Sequence, residues 1–373
     1  MVYRTPLLTF RILFKKRKST PFNNSLYKLG YFSLGRYALL KGLDLLDIKE
    51  EEDNVLVPGY VCRTALLPFR LKKIRIEYYK IKKDLSIDIN NLNKRIDKNT
   101  KALLYVNYFG LSNQLEVFHS FCKKNNIYLI EDNAHTLMLD YRYLKGDISI
   151  FSLRKFLPIP DGAILSISKT NLQNKDINNI EEGIAQRWKI QDYEFILTNY
   201  LKKTYNWISN PFINYLLEKY RRDREDLVSQ TEDIEDAILN SPTYSISRLS
   251  LYIIERTDTE QIFNIHKRNY CLLLEYLKKI SVKNIKILFN EVNEKYCPLA
   301  FPILVTKNRD YFIKKLFING FAVYPWPDMP MEIIKNDEYK DENFLFNTLV
   351  LLPIHSGLTN KKLYKMAKVI EAL

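Results

Sequence analysis

The sequence predicts an α/β protein: a large domain with a mainly parallel sheet flanked by helices, then a smaller α+β domain. Three observations predict it. Short apolar runs alternate with helical segments through the first half, the pattern of a parallel sheet covered on both faces. From about residue 170 to 240 the texture changes to charged, Asn-rich helical segments such as NKDINNIEEG and EKYRRDRED. Beyond that, strand-like runs return between helices. A length of 373 residues fits two domains, placed at 1–240 (with a helical insertion over about 170–240) and 241–373.

The elements follow in order. Ser33 is placed to cap a helix over Leu34 to Leu46. NVLV (54–57) is a short apolar strand closed by Pro58, followed by a helix to about Phe69 and a strand over Ile74 to Ile81. Asp88 caps a short helix to Ile96. KALLYV (101–106) reads as a buried strand, Gln114 to Asn125 as a helix and IYLI (127–130) as the next strand. Further strands are expected at Ile148 to Phe151 and Ala163 to Ile167. A long helix is expected from Ser247 to about Leu277, strands at ILFN, LAFPILV and Phe321 to Tyr324, a helix over Arg309 to Phe317, and a terminal helix capped by Thr359.

Composition narrows the function classes. A 46% hydrophobic and 27% charged chain with 10 Gly is neither disordered nor collagen-like. Four widely spaced cysteines (62, 122, 271, 297) without a C-x-x-C pair argue against a disulfide scaffold or structural zinc, and fit a reducing cytoplasm. No apolar run reaches the length of a membrane span. The net charge of +14 favours anionic partners. No nucleic-acid-binding signature accompanies it, so nucleic acid is not expected. The basic run Lys15 to Lys18 reads as a solvated loop, with a weak membrane-surface contact as the alternative.

Four local features carry chemistry. Gly35-Arg36 opens a helix, where free backbone N–H groups and a missing side chain admit an anion. Glu131-Asp132-Asn-Ala-His135 follows a strand, at the edge where open α/β sheets bind ligands. An acid there can pair a protonated ring nitrogen, and His135 can stack or hydrogen-bond; a capping Asp and a structural His remain the alternative. Ser152-x-x-Lys155 offers a hydroxyl for a phosphate and an amine for a Schiff base. Pro160-Asp161-Gly162 is a tight turn that would fix the loop carrying Lys155. A ring-nitrogen acid, a Schiff-base lysine and a phosphate cradle together meet the needs of pyridoxal 5'-phosphate.

In that order, the features resemble the DegT/DnrJ/StrS-type sugar aminotransferases, a family of fold-type-I pyridoxal-phosphate enzymes. The resemblance is carried by LGRYALLKGLDLL, DNVLVPGYVCRTAL, TKALLYVNYFGL, IYLIEDNAH, GDISIFSLRKFLPIPDGAIL, ISRLSLYIIERTD and LLPIHSGLTNKKLYKMAKVIEAL. EDNAH and RKFLPIPDG are its most specific parts, and residues 1–30 and about 170–240 match poorly. It implies that Lys155 holds the cofactor and moves the proton, that Asp132 pairs the ring nitrogen, and that His135 lies near the phenolic oxygen. It implies that Gly35, Arg36 and Ser152 hold the phosphate. It further implies a homodimer with a shared site, to which Thr243 is brought by the segment before the long helix.

Four departures stand out, one of them Thr243 in place of the interface Asn. Arg36 replaces the usual Ser or Thr, Cys62 replaces the aromatic that stacks on the ring (with Tyr60 nearby as a substitute), and Gly162-Ala163 replaces Gly-Gly. A branch of the family that dehydrates carries His in place of the lysine, which Lys155 argues against. The expected activity is transfer of an amino group from an amino acid, glutamate or glutamine, to a keto-sugar nucleotide, in amino-sugar and surface-polysaccharide biosynthesis. A pyridoxal enzyme acting on a non-sugar substrate, or a non-catalytic binding module that keeps the fold, are the alternatives.

Overall fold

The computed structural model describes residues 2–17, 26–173, 175, 177, 188, 190–208, 244–280 and 283–373. A seven-stranded sheet holds β1 (Tyr27–Phe32), β2 (Asn54–Pro58), β3 (Arg75–Tyr79), β4 (Thr100–Val106), β5 (Tyr128–Asn133), β6 (Ile148–Ser152) and β7 (Ala163–Ser168) in the order β1-β7-β6-β5-β4-β2-β3. Strands β2 to β6 pair in parallel, whereas β7 lies antiparallel between β6 and β1. β2, β6 and β7 are buried along their whole length, as strands covered on both faces must be.

A second, four-stranded antiparallel sheet holds β8 (Ile285–Ile287), β9 (Ala300–Val305), β10 (Tyr324–Pro325) and β11 (Leu349–Pro353) in the order β10-β11-β9-β8. The helix Thr259–Lys278 packs across it, with Tyr270 against Phe301 at 4.5 Å between ring centroids, and the terminal helix Asn360–Glu371 lies alongside.

Several expected boundaries shift, each for a local reason. The expected helix from Ser247 to Leu277 is two helices, Arg248–Ile254 and Thr259–Lys278. Asp258 restarts the second by accepting the Gln261 N–H, while Ser247 caps the first through the Ser250 N–H. Ser33 is not a helix cap. The helix begins at Gly35 with no side-chain cap, and the Ser33 backbone instead bonds Tyr244 O and Gly162 N. β3 is shorter than expected because its chain leaves the sheet at Lys80, and the strand expected from Phe321 forms only at Tyr324–Pro325. β1 was not anticipated. Asp88 and Thr359 do cap their helices.

The sheet places the chemistry. Because β1 and β6 are each antiparallel to β7, they point the same way. The helix at Gly35, which follows β1, therefore starts at the carboxyl edge of the parallel strands. In register, Val106 of β4 lies opposite Asp132 of β5, and Asp132 opposite Ile150 of β6, so the three strand ends form one row.

Candidate active site

That row forms the floor of a cavity of about 180 Å³. Gly35 and Arg36 border it at the helix start, Cys62 and Ala65 at the next helix, Asp132, Ala134 and His135 at and beyond the end of β5, and Ser152, Arg154 and Lys155 at and beyond the end of β6. Trp326 enters from the segment after β10. Of the residues singled out in the sequence, Gly35, Arg36, Cys62, Asp132, His135, Ser152 and Lys155 meet here. Tyr60 is fully buried behind Trp326, with rings stacked at 4.6 Å, so the aromatic surface facing the cavity is the indole. Thr243 lies outside the described residues.

Strand alternation separates the two acids of EDNAH. Asp132 points to the cavity and accepts the Ala134 N–H at 2.9 Å. Glu131 turns the other way, wholly buried, and accepts the N–H groups of Lys145 (2.6 Å) and Gly146 (2.5 Å) and the Asn133 amide (2.8 Å). Glu131 is therefore a structural acid that ties the loop before β6 to the sheet.

Lys155 sits in the short turn Leu153–Lys155 after β6. The tight turn expected at Pro160-Asp161-Gly162 braces it. Leu153 N–H donates to Gly162 O at 3.0 Å, and Gly162 N–H donates to Ser33 O at 2.7 Å. Asp161 accepts from the Ser250 hydroxyl (2.6 Å) and the Ser247 N–H (3.1 Å), fastening the loop to the helix Arg248–Ile254. Gly162 has φ +140, a conformation that favours glycine, and a Cβ there would meet Ile159 at 2.9 Å.

Electrostatics follow from enclosure. Burial lowers the Lys155 pKa, opposed by nearby Cys62 and Asp132. Burial raises the Asp132 carboxyl, opposed by Lys155 and the Ala134 N–H. Burial, and then Lys155, push His135 well below its ordinary value, so its imidazole is neutral at pH 7. Its ring stacks on Phe109 at 5.4 Å and 3°, with Trp326 edge-on at 5.4 Å. Phe109 holds left-handed φ +60, a strained conformation directly beneath the site. His135 Nδ1 is buried without a hydrogen-bond partner.

Residues 32–159, about a third of the chain, match the model of the DegT/DnrJ/EryC1/StrS aminotransferase family. Over that segment the chain is similar to this family. Curated proteins similar to this chain include a UDP-4-amino-4,6-dideoxy-N-acetyl-beta-L-altrosamine transaminase of Campylobacter jejuni, 34% identical over 105 residues, covering 26% of this chain and 28% of that protein. A GDP-4-keto-6-deoxy-D-mannose 3-dehydratase of Yersinia pseudotuberculosis is 30% identical over 86 residues, covering 23% of this chain and 22% of its own. The alignments thus span about a quarter of these curated relatives. Among solved structures, the aminotransferase TlmJ from Streptoalloteichus hindustanus superposes with a TM-score of 0.61 at 12% identity, over 92% of this chain and 85% of that one. A GDP-4-keto-6-deoxymannose-3-dehydratase with a trapped PLP-glutamate geminal diamine gives 0.61 at 15%, over 92% and 88%. At such identities the superpositions speak for the fold, and they extend it well beyond the matched segment.

The DegT/DnrJ/EryC1/StrS family works with pyridoxal phosphate, and this cavity has the donor set for it: an amine, a facing carboxylate, an uncapped helix start and an orphaned imidazole nitrogen. Sequence reasoning missed Trp326, which lies 171 positions beyond Lys155; its WPDMP setting, with a proline on each side, was the only local signal. It also missed Asp328, which accepts the Arg63 N–H at 3.3 Å and Nε at 3.4 Å and hydrogen-bonds the Cys62 thiol. Burial and then Asp328 push that thiol up, opposed by Lys155.

Proposed function

We propose that the protein is a pyridoxal-phosphate-dependent aminotransferase acting on a keto-sugar nucleotide, with an amino acid, glutamate or glutamine, as donor. The observation that carries it is the convergence of Lys155, Asp132 and His135 with the helix start at Gly35 around one cavity. When bound, the cofactor supplies an electron sink for the carbon that gives or receives the amino group.

Each side chain has a task. Burial favours the uncharged form of the Lys155 amine, the form that attacks a carbonyl carbon and accepts a proton. Its Nζ would hold the cofactor and would carry the proton at the donor Cα. Asp132 keeps a proton on the ring nitrogen. His135 Nδ1 is suited to hydrogen-bond the phenolic oxygen, with Phe109 beneath fixing the imidazole plane. The Gly35 backbone N–H, Arg36 and Ser152 would hold the phosphate. Trp326 gives the cavity an aromatic wall.

The basic chain suits a nucleotide diphosphate. The transaminase relative fits a nucleotide-sugar acceptor. A homodimer with a shared site, a cytoplasmic location, and a product for amino-sugar or surface-polysaccharide assembly complete the proposal. The domain division at residue 240, and a role for Thr243 across the dimer, are part of it.

The test is the visible absorbance of purified protein with added pyridoxal phosphate, repeated on Lys155→Ala, followed by a panel of keto-sugar nucleotides with glutamate or glutamine. A lysine-dependent band and amine transfer to one acceptor are expected. A band with no transfer to any keto-sugar nucleotide moves the substrate elsewhere. Absence of a band in the unaltered protein sinks the cofactor assignment and favours a binding module.

A further inference from the structure

The helix Ile190–Ile208 is turned with its apolar face outward. Its inner side buries the polar residues Asp192 and Asn199. Asn199 accepts the Leu8 N–H at 3.3 Å there, and Phe195 and Ile196 pack on the core behind them. Its outer side presents Ile190 (78% exposed), Tyr193 (60%), Leu197 (57%) and Leu201 (53%), with Tyr200 beside them. Spacings of three and four residues place these on one stripe. An ordinary surface helix has the opposite polarity.

The stripe extends across neighbouring elements. Trp188 touches Tyr193 and Tyr252, with rings at 5.7 and 6.3 Å. The Tyr252 hydroxyl donates to Leu13 O at 2.7 Å, which brings in the N-terminal segment and Phe14, 85% exposed. Of the seventeen large hydrophobic side chains exposed among the described residues, seven lie in this one region. Such a concentration marks an interaction surface rather than scattered exposure. Exposed Arg11, Lys15 and Lys16 flank Phe14. The nearby acids are Glu255, which pairs with Arg17 and Arg256, and exposed Glu194 on the helix.

We infer that this face docks the protein onto an anionic lipid surface. The aromatic and aliphatic stripe would lie at the headgroup boundary, and the basic cluster would meet the lipid charge. Charge complementarity selects this occupant. Exposed Arg11, Lys15 and Lys16 stand beside the apolar stripe, as an anionic headgroup layer requires, and no described helix is long and apolar enough to cross a membrane. The inference stands apart from the catalytic proposal, since none of these residues lines the cavity.

The experiment is co-sedimentation of the full chain with phosphatidylcholine vesicles, with and without phosphatidylglycerol, for the unaltered protein, Leu197→Glu/Leu201→Glu, and Lys15→Glu/Lys16→Glu. The substituted residues are exposed, and far-ultraviolet circular dichroism checks that each variant is folded. Binding only to the anionic vesicles is expected, with each double variant weaker by on the order of tenfold or more. Failure of the unaltered protein to bind, or binding that neither variant weakens, overturns the inference. So does a leucine variant whose change is loss of self-association on a sizing column with vesicle binding intact.

Discussion

Glu342 offers the sharpest test of the physical reasoning. It sits in the helix Lys340–Thr348, next to the small sheet, and is 1% exposed. Its Oε1 accepts the Ile81 N–H of the large-sheet region at 2.6 Å and lies 3.3 Å from where a Cβ of Gly59 would stand. Gly59 precedes Tyr60, the residue behind Trp326, so this carboxyl is part of the seam that supports the cavity. Burial raises its pKa to about 7 from an ordinary 4.5; Asp341 adds to the rise, and the Ile81 N–H and Lys80 oppose it. Tyr108 and Tyr339 are its other titratable neighbours.

The sign and size follow. Below about pH 4.5 the group is protonated whether the chain is folded or not, and it contributes no pH dependence. Between about 4.5 and 7 the folded protein keeps the proton and the unfolded chain releases it, so stability falls as pH rises. At about 1.4 kcal/mol per unit the full loss is about 3 kcal/mol. Glu342→Gln keeps an oxygen for the Ile81 N–H and removes the titration. The assay is urea unfolding of both proteins across this pH range. Relative to its standing near pH 4.5, the glutamine variant should gain about 3 kcal/mol over the unaltered protein by neutral pH. The buried histidines titrate alike in both and cancel in the difference. A difference that stays flat with pH refutes the reasoning.

Three further outcomes are expected. Asp132→Asn should retain cofactor absorbance but slow the half-reaction with the amino donor on the order of a hundredfold or more, because the ring nitrogen loses its charged partner; an unchanged single-turnover rate would remove Asp132 from that role. Arg36→Ala should weaken pyridoxal phosphate roughly tenfold and leave pyridoxal without its phosphate nearly unaffected, the size of one charge-assisted contact; equal losses for both would place Arg36 elsewhere. Gly110→Ala should destabilise by about 2 kcal/mol or more, since φ is +70 and the new Cβ would lie 2.5 Å from Cys297 O; thermal unfolding at the ordinary midpoint would contradict this.

The alternation of strands and helices, the caps at Asp88 and Thr359, and the segments EDNAH and SLRK are matters of neighbouring residues. Periodicity, cap chemistry and spacing therefore expose them directly in the sequence. Placement of Asp132 and Lys155 at the carboxyl edge likewise follows once the strands are recognised as parallel. The sequence by itself determined the fold class and singled out the residues proposed to hold the cofactor. The tertiary structure decided which of Glu131 and Asp132 faces the cavity, that Trp326 rather than Tyr60 lines it, that Asp328 holds Cys62, and that the helix Ile190–Ile208 shows its apolar side to the surface. The reason is physical: each of these depends on which groups meet after folding, often from segments more than a hundred residues apart, and such contacts leave no local period or motif in the chain.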